Sequence, residues 1–524
     1  MMDLRLFQEV RAPMPRHASR DAIKTAHRIG RVQGHNKVFV PTIDDRTLDV
    51  FARAINPDDP FELRDLWLGR VECEMDRRHI RPELASKWSN SRVLRTVDAQ
   101  QVLTSCATVR FVKELFNWFF RDDLYGKLRS SDNIILSSGS VDEEEWGLPE
   151  TLKSCIRYAI SRDWYGYSDS RGREPAREAI AAYECTRMQG AHYHSDNVAI
   201  TMGGTFAISS LADFILLNSN LGASPALCGI PNYPPLVESV SRRHSIELVP
   251  LPCHDGQVSL QPLIDRLSPT TPMVMLQTVA NPTGASVSDG ELKRLVQAAA
   301  PSTMIVLDEC HEWLGPTREF DCVRASSNIV RVFSVSKAWS APGLKIGWIL
   351  ADPNFIAEYY EYASTTFGGP PSFFYTFIEI LARMERWMIS GIERPGAAEI
   401  AELESSYQLD VQRLDAAYRS YCEERICRER ALQTTRDATV VRLSEIGGLT
   451  IIPPQYSINM TIECPDWDDS YRCFREILEH SNVALFPGIL TFCFSSGSMR
   501  VTTARRWSEL STGVARIESQ LAVC

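Results

Sequence analysis

Lys337 lies within FSVSKAWSAPGLKIGW, residues 333–348, with Ser334 and Ser336 just before it and a proline–glycine turn and Lys345 just after. An apolar, β-rich run, NIVRVFSVS, leads straight into it. Burial disfavours a charged ammonium, so a lysine held in a dry pocket tends to give up its proton or to react. That is the condition a Schiff-base lysine needs. The hydroxyls of Ser334 and Ser336 and the second cation at Lys345 are what a neighbouring phosphate anchor needs.

Three further stretches carry candidate chemistry. In MGGTFAISSL, residues 202–211, Gly203, Gly204 and Thr205 precede an amphipathic helix. Backbone N–H groups and a helix N-terminus favour an anion there, a phosphate above all. Neither GxGxxG nor GxxxxGK[ST] occurs, which argues against the usual nucleotide loops. VANPTGAS sets Asn281 in a turn after an apolar strand, and taken singly it reads as structural. MIVLDECHEW delivers Asp308 at the end of a strongly apolar strand, where a carboxylate is costly unless a cation pairs with it.

The elements that must position these residues form an alternating pattern. Short β-branched or apolar runs (VAITMGG, PALCGI, IELVPL, TPMVMLQT, TMIVLDE, IVRVFSVS) alternate with helical ones such as FAISSLADFILL and DGELKRLVQAAA. Strands alternating with helices over this length predict right-handed crossovers and a largely parallel sheet covered on both faces. Ligands in such sheets bind beyond the strand ends, where the candidate residues fall. Three domains are expected: a mainly helical N-terminal extension over 1–130, a large domain over 131–352, and an interdomain helix with a small α/β domain over 353–524. Within the extension, Val102, Cys106, Val109, Val112, Phe116 and Phe119 recur at helical spacing and predict one buried face.

Composition narrows the class. The 524 residues carry a net charge of -10, with 44% hydrophobic and 23% charged residues, so a general basic nucleic-acid surface is not expected. The 14 cysteines show no CxxC pair and no Cys/His cluster at zinc spacing, so neither a disulfide framework nor a metal site is expected. No apolar run approaches a bilayer span, and the arginine-bearing start reads as a solvated arm rather than an organelle transit peptide. A cytoplasmic protein with small-molecule partners, without nucleic acid or membrane, is the expectation.

Taken in order, ILSSGS, WYGYSDSRGREPAREAIAAY, VAITMGGTFAISSL, IPNYPPL, NPTG, VLDE and SVSKAWSAPGLKIGW resemble the class I/II aminotransferases, fold type I enzymes dependent on pyridoxal 5'-phosphate. The resemblance runs from about residue 131 to the C-terminus. It implies a mostly parallel seven-stranded sheet in the large domain and a small α/β C-terminal domain. Lys337 would form the Schiff base and then act as general base, Asp308 would pair with the pyridinium nitrogen, and Asn281 would bond the ring 3-oxygen. Tyr233 would stack on the ring, while Gly203, Gly204, Thr205, Ser334, Ser336 and Lys345 would hold the phosphate. Tyr167 matches the tyrosine that reaches the neighbouring subunit's phosphate, which implies a homodimer with shared sites. Arg500 would clamp the substrate α-carboxylate beside Ser138 and Gly139; the nearby Arg505 and Arg506 leave a surface role for Arg500 open.

The chain departs from the family pattern at three places. Lys345 stands where arginine is common, and a lysine is a point charge without bidentate geometry. His311 stands where a tyrosine commonly donates to the 3-oxygen, and either a chemical or a structural role is open to it. The N-terminal extension is far longer than the family's usual arm; covering the entrance, building the dimer and holding a second substrate are all open to it. The implied reaction is transamination of an amino acid to a 2-oxo acid. The alternative is β/γ-elimination or replacement, including cyclising or carbon–carbon bond-forming chemistry on S-adenosylmethionine in specialised metabolite biosynthesis.

Overall fold

Seven short runs rich in Val, Ile, Leu and Met form the central sheet: β1 (Val198–Thr201), β2 (Ala226–Ile230), β3 (Ile246–Pro250), β4 (Met273–Gln277), β5 (Met304–Asp308), β6 (Ile329–Ser334) and β7 (Gly347–Leu350). The computed structural model describes residues 16–32, 38–75, 79–92, 95–188, 190–217, 219, 224–316, 319–464 and 466–521; the arginine-bearing start, residues 1–15, lies outside them. The strand order is β1-β7-β6-β5-β4-β2-β3, with β7 antiparallel to both neighbours and the other pairs parallel. Helices cover both faces, which is why these strands read as continuous apolar runs rather than alternating ones.

Arg331 interrupts β6 and is fully buried. Its guanidinium donates to Glu309 at 2.8 and 2.9 Å and to Glu184 at 2.9 Å, while Arg324 reaches Glu309 at 2.9 Å. Burial alone pushes the Glu309 carboxyl up, but Arg331 and Arg324 together hold it well below the usual carboxylate range. This network lies directly behind the strand end that carries Asp308. Arg331→Met is therefore expected to destabilise the fold by about 3 kcal/mol at pH 7, because it removes the cation shared by two buried carboxylates and leaves Glu309 with Arg324 and Glu184 with Arg187 alone. The penalty should shrink as pH falls below the ordinary carboxylate range and Glu309 takes up a proton. Chemical-denaturation midpoints at neutral and acidic pH check it, and an unchanged midpoint at pH 7 would count against the network's role.

The C-terminal part holds a second sheet, β8 (Thr450–Ile452), β9 (Asn459–Glu463), β10 (Phe486–Pro487) and β11 (Ser498–Thr502), antiparallel in the order β8-β9-β11-β10. A 34-residue helix, Val411–Ser444, precedes it; Asp410 caps its start, so the helix begins after the ELESSYQ stretch rather than within it. Ile134 and Ile135 pair with Val483 and Ala484, so the chain entering the first 131–352 residues is bonded to the C-terminal part.

The N-terminal segment is helical, with helices Asp45–Arg53, Pro60–Glu74, Pro82–Asn90, Ala99–Thr104 and Cys106–Trp118. The periodic stripe expected as one face is split, because the Ser105 side chain accepts from the Ala107 N–H and starts a new helix. Val102, Val109, Val112 and Phe119 are fully buried, whereas Cys106 and Phe116 are half-buried. Beyond Trp118 the helix widens into a π-type stretch, Phe119–Lys127, a form that often marks functional positions. Phe111, Leu115 and Phe119 share one apolar cluster with Ile208 and Val237 of the central unit and Phe474 of the C-terminal part. Buried polar links reinforce that seam: Arg475 donates to Glu72 at 2.8 Å, the Tyr471 hydroxyl donates to Asp123 at 2.6 Å, and Arg70 pairs with Asp469.

Candidate active site

One cavity of about 370 Å³ opens at the strand ends. Five of the parallel strands deliver candidates as they leave the sheet: Gly203, Gly204 and Thr205 follow β1, Tyr233 follows β2, Asn281 follows β4, Asp308 ends β5 with His311 just beyond, and Ser334, Ser336 and Lys337 close β6. Lys345 comes from the turn before β7, and Ser138, Gly139 and Arg500 close the site from the side of the C-terminal sheet. All of these line the same cavity. Tyr167 does not: its side chain is fully exposed and lies outside the cavity lining.

The Lys337 Nζ donates to the Gly139 carbonyl at 2.6 Å. Enclosed by protein yet facing the cavity interior, its amine is lowered to about 8, first by burial and then by the charge of Arg500. An appreciable fraction of this lysine is thus neutral near pH 7 and can act as nucleophile or base. Gly139 adopts φ +64, and a Cβ there would come within 2.6 Å of Arg500 Nη2, so the Ser137–Gly139 turn needs glycine to lie against the guanidinium.

Arg500 is buried, which removes the surface role; its register on β11, opposite Phe486, turns it inward. It donates to Asn281 Oδ1 at 2.9 Å and to the Ser137 carbonyl at 2.7 Å, and its guanidinium lies 4.0 Å from the Phe486 ring centre. These partners are neutral, its Nε is buried with no hydrogen-bond partner, and burial lowers the group to about 9. A cation so held is completed by a carboxylate. Arg505 is half-buried and bonds Ser138, while Arg506 is exposed beside Glu145 at 3.1 Å.

Asp308 is buried, accepting from Gln277 Nε2 at 2.9 Å and from the Cys310 N–H at 3.1 Å, which fixes its carboxylate plane. His311 is also buried, with Nδ1 3.1 Å from the Ser457 hydroxyl. Burial first, then Lys337 and Arg500, push its imidazole well below the ordinary histidine range, so it is neutral at pH 7. On the other side, Gly203 at φ +83 opens the 14-residue helix Gly204–Leu217, the Ser334 and Ser336 hydroxyls lie 2.5 Å apart, and a Cβ on Gly204 would meet Cys310 Sγ at 2.8 Å. Hydroxyls, a helix N-terminus and Lys345 around bare backbone fit a phosphate, and Asp308 and Lys337 fit the ring nitrogen and the aldehyde of pyridoxal 5'-phosphate.

The sequence did not single out Phe116, Phe120, Met202, Leu236, Gln277, Cys310, Pro342 and Phe486, which also line the cavity. The glutamine's signal was its place at a strand end, beside the strand carrying Asp308. Of the two N-terminal phenylalanines, Phe116 gave only part of a core-like stripe and Phe120 gave no signal. Among the described residues, no group of three His, Cys, Asp or Glu side chains is placed to hold a metal ion, and no helix is long and apolar enough to cross a membrane.

Known proteins share this chain's sequence pattern and fold. The chain is 30% identical to a valine–pyruvate aminotransferase of Mycobacterium tuberculosis over 42% of its own length and 56% of that protein's. It is 22% identical to an aspartate aminotransferase of Pyrococcus horikoshii over 76% of its length and 93% of that protein's. A solved aspartate aminotransferase of Thermus thermophilus, a tetra mutant, shares the fold with a TM-score of 0.59 at 20% identity, covering 74% of this chain and 96% of that one. Residues 131–517 match the family described as Aminotransferase class I and II, whose cofactor is pyridoxal 5'-phosphate. Because that span exceeds half of the chain and contains every residue lining the cavity except Phe116 and Phe120, the chain belongs to the aminotransferase class I and II family.

Proposed function

We propose that this protein transfers the amino group of an amino acid to a 2-oxo acid, using pyridoxal 5'-phosphate. The observation that carries the reading is a single cavity in which a lysine lowered to about 8 sits between a buried carboxylate, Asp308, and a carboxylate-seeking arginine, Arg500. When bound, the cofactor supplies an aldehyde that condenses with amines and a ring that accepts the electron pair left when the α-proton departs.

The chain's residues divide the remaining work. Lys337 supplies the amine that holds the aldehyde and, once released, moves the proton at the substrate α-carbon. Arg500, steadied by Asn281 and Ser137, orients the α-carboxylate so that this proton faces Lys337. Asp308 keeps a proton at the ring nitrogen, with Gln277 and the Cys310 N–H holding its oxygens in place. Ser334, Ser336, Thr205, Lys345 and the helix N-terminus at Gly204 hold the phosphate. His311, neutral and held through Nδ1 at Ser457, would be placed to hydrogen-bond the cofactor's 3-oxygen. Tyr167, exposed and outside its own cavity, supports a homodimer in which it completes the partner's site.

Mixing purified holoenzyme with amino acids and following its visible absorbance tests the reading. Conversion to the pyridoxamine form of the cofactor, reversed by a 2-oxo acid, is expected. Release of a fragment from the β- or γ-carbon, from S-adenosylmethionine among others, with no pyridoxamine formed, would replace transamination by elimination or replacement.

A further inference from the structure

The family match begins at residue 131, yet two residues before it line the cavity. Phe116 and Phe120 lie one helical turn apart on the same face, with ring centres 5.0 Å apart. Phe116 meets Tyr233 edge-on at 5.6 Å and Phe486 at 6.1 Å, and Phe120 reaches Phe486 at 6.2 Å. With Leu236 these rings make a continuous apolar wall beside Arg500, whose guanidinium rests on Phe486.

That wall is firmly placed. Phe119, between the two, is fully buried against Phe474 and Phe486, with ring centres at 4.8 and 5.4 Å. Asp123, four residues on, is locked by Arg81 and Tyr471. Phe119 enters the core while Phe120, the next residue on the π-type stretch, faces the cavity.

The charges lining the cavity are already assigned. Its cations are Lys337, Lys345 and Arg500, and its anion is Asp308. Lys337 takes the reacting amine, Lys345 the phosphate side, and Arg500 the α-carboxylate. Among the described residues of this chain, no further Lys or Arg lines the cavity to receive a second carboxylate. A side-chain carboxylate would be desolvated against aromatic faces that carry negative charge density, whereas an apolar side chain would bury its surface there.

We infer that the N-terminal segment builds the substrate side-chain pocket through Phe116 and Phe120, and that the amino donor carries a bulky apolar side chain of the size of leucine, methionine or phenylalanine. This rests on the transamination reading and goes beyond it to the substrate class. The relatives' names do not choose for it, since they include both valine and aspartate.

The test is a panel of amino acids given to wild-type holoenzyme, reading kcat/KM and the apparent Kd from the spectral change. Phenylalanine, leucine or methionine should exceed alanine by about tenfold or more and aspartate and glutamate by about a hundredfold. Phe116→Ala and Phe120→Ala should each lower kcat/KM for the preferred apolar donor about tenfold more than for alanine, with the loss falling mainly in KM. Phe116→Leu and Phe120→Leu, which keep an apolar side chain in the core, should shift preference from aromatic to aliphatic donors.

A wild-type preference for aspartate or glutamate would overturn the inference while leaving transamination intact. So would equal losses for alanine and for the apolar donor in both alanine variants. Holoenzyme that converts no amino acid to its 2-oxo acid would overturn the transamination reading itself, and this inference with it.

Discussion

Lys337→Ala is expected to abolish turnover, by about 10⁴-fold or more, and to remove the visible absorbance that marks cofactor held through an imine. On the proposed function the amine both receives the aldehyde and carries the proton, so two functions would fall with one side chain. The phosphate cradle does not involve it, and the variant should still bind pyridoxal 5'-phosphate reversibly, which dialysis would show. Borohydride treatment followed by peptide mass analysis should tag residue 337 in the wild type and no lysine in the variant. A tag on Lys345 instead would defeat the assignment.

The same substitution has a signature in the apoprotein that owes nothing to turnover. The folded-state value of Lys337 is about 8, below the 10.5 of an ordinary lysine, so the folded protein binds fewer protons than the unfolded chain between those values. Stability contributed by the wild-type residue therefore rises with pH across that window, and the charged form is penalised below it. Because the amine faces a cavity that water can enter, about 2 kcal/mol is the scale expected, rather than the full shift. Lys337→Ala should compare more favourably with wild type at pH 7 than near pH 10.5. Parallel unfolding curves for the two proteins at both pH values would remove that basis for the lysine's reactivity.

The central sheet was legible because burial on both faces writes an unusual pattern of short apolar runs, and two of those runs stop on a charge. Lys337 and Asp308 stand out for that reason. Arg500 was legible only as one of three arginines within seven residues, because a strand's register, and hence which side chain points inward, depends on its partner strand. The structure separates them: Arg500 faces the cavity, Arg505 bonds Ser138, and Arg506 faces Glu145.

Phe116 and Phe120 were not legible at all. A stripe at helical spacing reports that a face is covered, and it is silent on whether protein or substrate covers it. Phe116 sat on the stripe and read as core, and Phe120, one turn further on the same face, was not read as part of it; both reach one opening. The cap at Ser105 likewise escaped the periodic reading, because one hydroxyl bond to the Ala107 N–H decides where one helix stops and the next begins.

Asp308→Ala should leave the cofactor bound and the enzyme nearly inactive, with kcat lowered by about 10³-fold or more. Asp308 ends β5 with one oxygen on Gln277 Nε2 and the other on the Cys310 N–H, so the carboxylate is aimed before any ligand arrives. The next residue, Glu309, points to the opposite side of the strand into Arg324 and Arg331, and the two acidic neighbours therefore serve different partners. On the proposed function, losing Asp308 would remove the negative charge that keeps a proton on the ring nitrogen, and the ring would become a poor acceptor for the electron pair of the departing α-proton. The Gly203–Thr205 backbone, Ser334, Ser336 and Lys345 remain, so the absorbance of bound cofactor should survive. Proton exchange at the substrate α-carbon, followed in deuterated water, should fall in step with kcat, which places the defect at that step rather than at binding. Asp308→Glu, displaced by one methylene from its two donors, should recover only part of the loss. Turnover within about threefold of wild type in the alanine variant would mean that the ring nitrogen works without its proton and that this carboxylate serves only the strand end.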